Sequence, residues 1–321
     1  MSLRGQSSLV AGGAGFIGVT LVERLLERGR RVTVADNFCR GHRAYLARYG
    51  NDIRLIEADL SSRQDCARVF ADAGPFDDVW HLAANSDIPA GVEDPDIDFR
   101  DTFRTTFELL RAMREHRVPE FHFASSSAIY GDLGERALHE DIGPLFPISN
   151  YGAMKLASEA QASAAAESHL ERVNIFRFPN VVGTPATHGV ILDFVNKLAA
   201  DPSALDVLGD GTQQKAYLHV SDLVDAMLLI AASEANAKVV CYNVGPVDEG
   251  VTVRWIAEQV VARVSPGAQI RFGEGNKGWV GDVPRFTYST DRLQALGWRP
   301  SLGSAEAVRR AIDEIAVQQG F

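Results

Sequence analysis

The sequence predicts an α/β protein: a doubly wound parallel sheet with helices on both faces, followed by a smaller, discontinuous C-terminal domain that binds substrate. Three observations predict it. Apolar runs alternate with helical patterns through the first half of the 321 residues, as βαβ units require. A glycine-rich turn, Gly12-Gly13-Ala14-Gly15-Phe16-Ile17-Gly18, stands between an apolar run and an apolar-periodic one. The second half breaks into short helical patterns separated by Gly183-Thr184-Pro185, Asp201-Pro202, Gly209-Asp210-Gly211 and Gly245-Pro246, which are loop signals.

Taken in order, the expected strands are residues 8–11, 31–35, 53–57, 79–82, 121–124 and 173–176. The helix after the glycine turn carries Phe16, Ile17, Leu21, Val22, Leu25 and Leu26 on one side, with Gly29 as its stop. The expected division is a first domain over residues 1–178, to which 219–247 return, and a second over 179–218 and 248–321.

Composition excludes several functions. A formal net charge of −10 argues against nucleic acid or an anionic membrane as the main partner. No apolar run is long enough to span a bilayer, and the opening residues leave no room for a signal peptide ahead of the first strand, so a cytoplasmic location is expected. The 3 cysteines, Cys39, Cys66 and Cys241, and the 8 histidines show no metal-ligand spacing. No metal site is expected.

The strand, turn and helix around residues 12–18 form a phosphate cradle. Gly12 and Gly15 leave no Cβ between backbone and phosphate, and the amides of Phe16 and Ile17 open the helix at the positive end of its dipole. A dinucleotide pyrophosphate fits there. Asp36, eighteen residues beyond Gly18, ends the second strand, where a carboxylate can accept the adenosine ribose hydroxyls. It would repel a 2′-phosphate, which points to NAD over NADP, although Arg40 and Arg43 lie close by in sequence.

A second constellation is chemical. Tyr151 and Lys155 stand at i and i+4 on a predicted helix, so phenol and ammonium share one face. A lone tyrosine is a poor base, with a pKa near about 10; a neighbouring cation favours phenolate. Residues 121–124 read as a strand that delivers Ser125-Ser126-Ser127 at its carboxyl end, where ligands of open α/β sheets bind.

Together these residues resemble the extended short-chain dehydrogenase/reductase family, with its Rossmann fold, and within it the nucleotide-sugar epimerases and dehydratases. The resemblance covers nearly the whole chain. It is carried by the glycine turn, Asp36-Asn37, Asp59-Leu60, His81-Leu82-Ala83-Ala84, Ser125-Ser126-Ser127-Ala128-Ile129-Tyr130-Gly131, Tyr151 with Lys155, Arg177-Phe178-Pro179-Asn180, residues 209–222 and Gly281-Asp282-Val283-Pro284. It implies Ser126, Tyr151 and Lys155 as the catalytic set. Asn37, Asp59, Leu60, Leu82, Ala83 and Ala84 would join the cofactor site, with Asp59 at the adenine and Ala83 beside the pyrophosphate. Ser126, Ser127, Asn180, Lys215, Lys277 and Asp282 would bind a UDP-sugar. NAD would stay bound, and two copies would pair through helices flanking the site as a homodimer. Lys215, Thr102 and Met154 stand where many relatives have Arg, Asn and Ser.

The resemblance implies that Tyr151 takes the proton of the sugar C4 hydroxyl while hydride leaves C4. The 4,6-dehydratases of the family carry an Asp-Glu pair where this chain has Ser127 and Ala128, so ordinary 4,6-dehydration is not expected. Two outcomes stay open. One is 5,6-dehydration of UDP-N-acetylglucosamine to an exocyclic enol ether, as in the subgroup serving tunicamycin assembly, which the chain resembles as a whole; Asp87, Glu93 or Ser127 would then supply the further proton transfer. The other is 4-epimerisation. A reading of another class, a non-catalytic NAD-binding regulator, is disfavoured because Tyr151 and Lys155 are both present.

Overall fold

Strands β1 (Ser7–Ala11), β2 (Arg31–Asp36), β3 (Ile53–Glu57), β4 (Asp78–His81), β5 (Glu120–Ala124), β6 (Arg172–Arg177) and β7 (Val239–Asn243) hydrogen-bond in the order β7-β6-β5-β4-β1-β2-β3. The computed structural model describes residues 3, 5–134, 136–275 and 287–321. From β3 through to β6 every pairing is parallel, with Val10 opposite both Val34 and Trp80, and His81 opposite Phe123. The chain builds outward from β1 to β3, then returns to β4 on the other side. This order reverses between β1 and β4, which places the glycine turn at the switch point of a Rossmann-type sheet.

The six expected strands are all present. Strands β1, β4, β5 and β6 are buried at every position, because helices cover both faces, and such strands read as continuous apolar runs. Strand β7 was not expected. Its first four residues are only half-buried, so it lacks that signature.

Helix α1 (Phe16–Glu27) buries Val19, Leu21, Val22 and Leu25 on its sheet-facing stripe. It ends as anticipated: Gly29 takes φ +72°, and the Gly29 and Arg30 amides donate to the Leu26 and Leu25 carbonyls. Helices α2 (Arg63–Ala73), α3 (Thr105–His116) and α4 (Asn150–Ser168) complete the layers. Leu9, Val79, Phe121 and Phe123 from the sheet pack with Leu109 and Met113 of α3 and Ala162 and Ala166 of α4 in one apolar core. Helix α3 is entered through a turn of π geometry, Phe99–Arg104, a feature frequent at functional sites.

The chain divides into two units. The first comprises Met1–Gly131, Pro144–Phe178 and Val224–Tyr242, and the second Asp132–Gly143, Pro179–Leu223 and Asn243–Phe321. In the second unit, helices Val190–Ala200, Val253–Val264 and Ser304–Gln318 enclose Ile191, Phe194, Ile256, Val260, Val308 and Ile312. Parallel strand pairs accompany them, among them Asn180–Val182 with Tyr217–His219, and Ala204–Val207 with Gln269–Phe272. Among the described residues no helix is long and apolar enough to cross a membrane, and no group of three potential ligands could hold a metal ion.

Candidate active site

The glycine turn is shaped by atoms that are missing. Gly12 adopts φ +79°, and a Cβ there would lie 2.7 Å from the Ala83 amide nitrogen. A Cβ on Gly18 would lie 2.5 Å from the Gly12 carbonyl oxygen. Helix, turn and the residues after β4 are therefore in backbone contact, and Leu82 and Ala83 both donate their amides to the Ala11 carbonyl. Gly15 is the N-cap of α1 and no side chain caps that helix, so its first amides face outward for an anion. Gly12→Ala is accordingly expected to strip most of the NAD from the purified protein, read from the nucleotide released on denaturation.

Asp36 is 7% exposed at the carboxyl end of β2. Its Oδ2 accepts from the Ala14 amide at 3.0 Å and its Oδ1 from the Phe38 amide at 2.8 Å. Burial raises the pKa of this carboxyl, and the two amides oppose the shift. Two bonds leave the carboxylate lone pairs for ribose hydroxyls, so the cradle and its acid fit a dinucleotide. Asn37 is exposed and accepts from the Cys39 amide. Asp59 is exposed too, and its Oδ1 takes the amide and hydroxyl of Ser61. Leu60 turns its side chain into the core, whereas Leu82, Ala83 and Ala84 are half-buried beside the turn.

The structure brings Ser126, Tyr151 and Lys155 together. Helix α4 begins at Ser149, whose Oγ accepts from the Gly152 amide at 3.1 Å. A Cβ on Gly152 would lie 2.5 Å from the Ala128 carbonyl oxygen, so only glycine lets the first turn of α4 lie against the short 3-10 turn Ser127–Tyr130. That contact sets Tyr151 beside Ser126, and the two hydroxyls hydrogen-bond. Burial pushes the Tyr151 phenol up to about 12, with the Ser126 bond pulling down and the Asp98 charge pushing further up.

One turn on, Lys155 is 2% exposed. Its Nζ donates to the Ala124 carbonyl at 2.6 Å and sits 4.8 Å and 5.7 Å from the Phe123 and Tyr151 ring centres. Burial pulls the ammonium down to about 7, against the upward pull of Glu159 and Asp98. Lys155 is thus a buried cation close to the half-buried Tyr151 ring.

Several buried side chains take partners that the sequence does not predict. Arg177, at the end of β6, donates Nε and NH2 to the two Glu159 oxygens at 3.0 Å and 2.7 Å, and NH1 to Tyr130 Oη at 3.0 Å. Ser125 donates its hydroxyl to the same Glu159, so one ion pair ties β5, β6 and α4 beneath the serines. Asn85 links the segment after β4 to the turn Pro95–Asp98 through Asp98 Oδ1, at 2.9 Å. His81 is fully buried, with Nε2 on Thr106 Oγ1 at 2.8 Å and Nδ1 without a partner among the described residues. Burial, with help from Lys155, holds this imidazole well below its ordinary value and hence neutral.

Of the acids considered for a further proton transfer, Asp87 is engaged: its Oδ1 caps the turn Ile88–Glu93 and its Oδ2 pairs with Arg40 at 2.8 Å. Glu93 is exposed, and Ser127 donates its amide to the Phe178 carbonyl. Asn180 and Lys215 belong to the second unit, on strands Asn180–Val182 and Gln214–Lys215. Lys277 and Asp282 lie outside the described residues.

A model of the "NAD dependent epimerase/dehydratase family" matches residues 8–245. Among curated proteins, the UDP-glucose 4-epimerase of Corynebacterium glutamicum is 31% identical over 309 residues, covering 91% of this chain and 90% of that one. A crystal structure of UDP-galactose 4-epimerase is 35% identical with a TM-score of 0.87, over 98% of this chain and 99% of the other. The UDP-glucose 4-epimerase of Thermus thermophilus in complex with NAD is 32% identical with a TM-score of 0.85, over 97% and 99%.

Proposed function

Because the chain belongs to the NAD-dependent epimerase/dehydratase family, we propose that it turns over a UDP-hexose or UDP-N-acetylhexosamine by transient oxidation at C4, with the hydride restored before product leaves. The observation that carries this reading is the half-buried Tyr151, bonded to Ser126, with the buried Lys155 one helical turn on and its Nζ 5.7 Å from the phenol ring centre. NAD, when bound, supplies the hydride acceptor and a positively charged nicotinamide ring. Gly12, Gly15, Phe16, Ile17, Asp36 and Asn37, with Asp59, Leu60 and residues 82–84, would hold it.

The chain's own residues handle the proton. Tyr151 Oη takes it from the C4 hydroxyl, and Ser126 Oγ orients that oxygen. Lys155, fixed by the Ala124 carbonyl, presents positive charge to the phenol and favours phenolate as the proton moves. A bulky sugar needs no further acid or base for inversion at C4, only room to turn over. Asn180 and Lys215, with Lys277 and Asp282, would bind the UDP moiety, the lysines by charge.

Inversion at C4 is the outcome favoured by the names of the relatives. The second reading, 5,6-dehydration of UDP-N-acetylglucosamine, rests on resemblance to the tunicamycin-pathway dehydratase, carried by residues 81–89 and the non-acidic Ser127-Ala128. Incubation with UDP-glucose and with UDP-N-acetylglucosamine, followed by mass spectrometry and NMR, separates them. Unchanged mass with an altered C4 coupling means epimerisation; loss of one water with new vinylic protons means elimination. Steady accumulation of NADH would sink both, since each returns its hydride.

Two copies pair through α3 and α4. Phe99, Phe103 and Phe107 form a stripe with ring centres 6.0 Å and 6.5 Å apart, and Phe99 is 50% exposed. Ala160 of the adjacent α4 is exposed as well. An aromatic stripe beside small side chains suits a helix-to-helix contact between copies. Phe99→Glu is expected to convert a dimer to a monomer in sedimentation velocity without loss of secondary structure.

A further inference from the structure

We propose that the Arg40–Asp87 ion pair is a clasp across the dinucleotide cradle, and that these two side chains set how fast NAD leaves. The inference rests on the reading above, in which residues 12–18 and Asp36 hold NAD. Arg40 NH2 lies 2.8 Å from Asp87 Oδ2. The two residues stand 47 positions apart, on the segments that follow β2 and β4.

Strand order makes the pair a bridge. Strands β2 and β4 flank β1, one on each side, so their carboxyl ends lie about 10 Å apart with the glycine turn between them. Each segment is anchored to that turn. On the β2 side, the His42 amide donates to the Ala14 carbonyl at 3.2 Å, and a Cβ on Gly41 would lie 2.7 Å from the same carbonyl oxygen. On the β4 side, Leu82 and Ala83 donate their amides to the Ala11 carbonyl. Arg40 and Asp87 join the two arms, and the contacts close into a ring over the carboxyl end of β1.

Neither arm is slack. Phe38 takes φ +57° with its amide on Asp36 Oδ1 at 2.8 Å, and the Cys39 amide donates to Asn37 Oδ1 at 3.1 Å. Asp87 is fixed by Asn85, whose Nδ2 donates to the Asp87 carbonyl at 2.8 Å and whose Oδ1 accepts from the Asp87 amide at 2.9 Å. Asn85 Nδ2 also donates to Asp98 Oδ1, and Gly91 lies on that carboxylate, where a Cβ would overlap Oδ2. Asp87 Oδ1 takes the Ala90 amide at 3.1 Å, which turns Oδ2 toward Arg40.

A dinucleotide reaching from Asp36, at the end of β2, to Ser126 and Tyr151, beyond β5, crosses the ends of β1 and β4. The Arg40 and Asp87 side chains keep 46% and 38% of their surface, against 7% for Asp36. The pair therefore stands on the solvent side of the cradle, and NAD would thread the ring beneath it. An exposed ion pair is weak enough to open, as a clasp must be.

The test is exchange of resident NAD. Holoprotein is incubated with excess isotopically labelled NAD, at a temperature raised until the parent exchanges measurably, and the bound nucleotide is quantified by mass spectrometry after denaturation. Arg40→Gln and Asp87→Asn are each expected to speed exchange by about two- to fivefold, the worth of an exposed ion pair; Asp87→Asn keeps an acceptor for the Ala90 amide. The double variant should exchange no faster than the faster single one. In about 1 M salt, which screens charges beyond about 3 Å, parent and variants should converge. Exchange at the parent rate in both single variants, additive acceleration in the double variant, or acceleration that salt does not diminish overturns the proposal. Gly12→Ala run alongside separates the two readings. If it holds NAD as the parent does, the cradle is misassigned; if it loses NAD while the Arg40 and Asp87 variants exchange like the parent, only the clasp fails.

Discussion

Tyr151→Phe is expected to lower UDP-sugar turnover by about 10²–10⁴-fold, the contribution of a positioned acid–base group, while bound NAD and melting temperature stay close to those of the parent. The substitution removes one oxygen. The ring stays packed near Lys155 and the Ser126 hydroxyl keeps its bond from the Ala128 amide at 3.1 Å, so little else changes. The phenol's raised value in the protein, pushed up first by burial, means that proton removal depends on positive charge nearby. Retained turnover would require another base within reach of C4, and no side chain described at the site offers one so directly.

The largest effect on stability is expected from Glu159→Ala. It would leave the Arg177 guanidinium, itself 7% exposed, without its two-point partner, and free Ser125 at the same time. Burial opposes the Arg177 charge, yet Glu159, together with Cys241 and Tyr130, outweighs it and holds the guanidinium above its ordinary value. Removing one member of such a pair costs about 3–5 kcal/mol, because the remaining charge stays buried. Urea unfolding monitored by circular dichroism should show this as a lower midpoint. Glu159→Gln, which keeps one acceptor for Arg177, should fall between parent and alanine. A midpoint unchanged in both would show that water reaches Arg177 in solution.

The parts of the fold legible in the sequence were those with local cause. Strands β1, β4 and β5 read as apolar runs because both faces are covered, and Gly29 marked a helix end because only glycine takes its φ cheaply. Tyr151 and Lys155 were legible because four residues bring side chains together on any helix. Strand β7 was not, since a half-buried strand is patterned by neighbours far away in the chain. The π turn before α3 likewise has no composition of its own.

The same distinction divides the site. Asp36 has a fixed distance from the glycine turn, whereas Glu159 meets Arg177 across 18 residues and Asn85 meets Asp98 across 13. Neither spacing recurs as a rule of any regular element. Buried charges acquire partners from the tertiary structure, and an isolated Asp or Glu in the sequence reads as solvated surface. Asp87 illustrates the converse: considered as an acid for the sugar, it serves as a helix cap and the partner of Arg40.

Gly91 lying on the Asp98 carboxylate makes two positions, seven apart, answerable to one volume. A side chain at 91 would push the carboxylate at 98 out of its place, so in a homologous chain the two positions should change together. Where 91 has become alanine or larger, the residue at 98 should be smaller or turned away. The pair of letters at 91 and 98 would then sort relatives into those that keep this close packing and those that do not, with no structure needed.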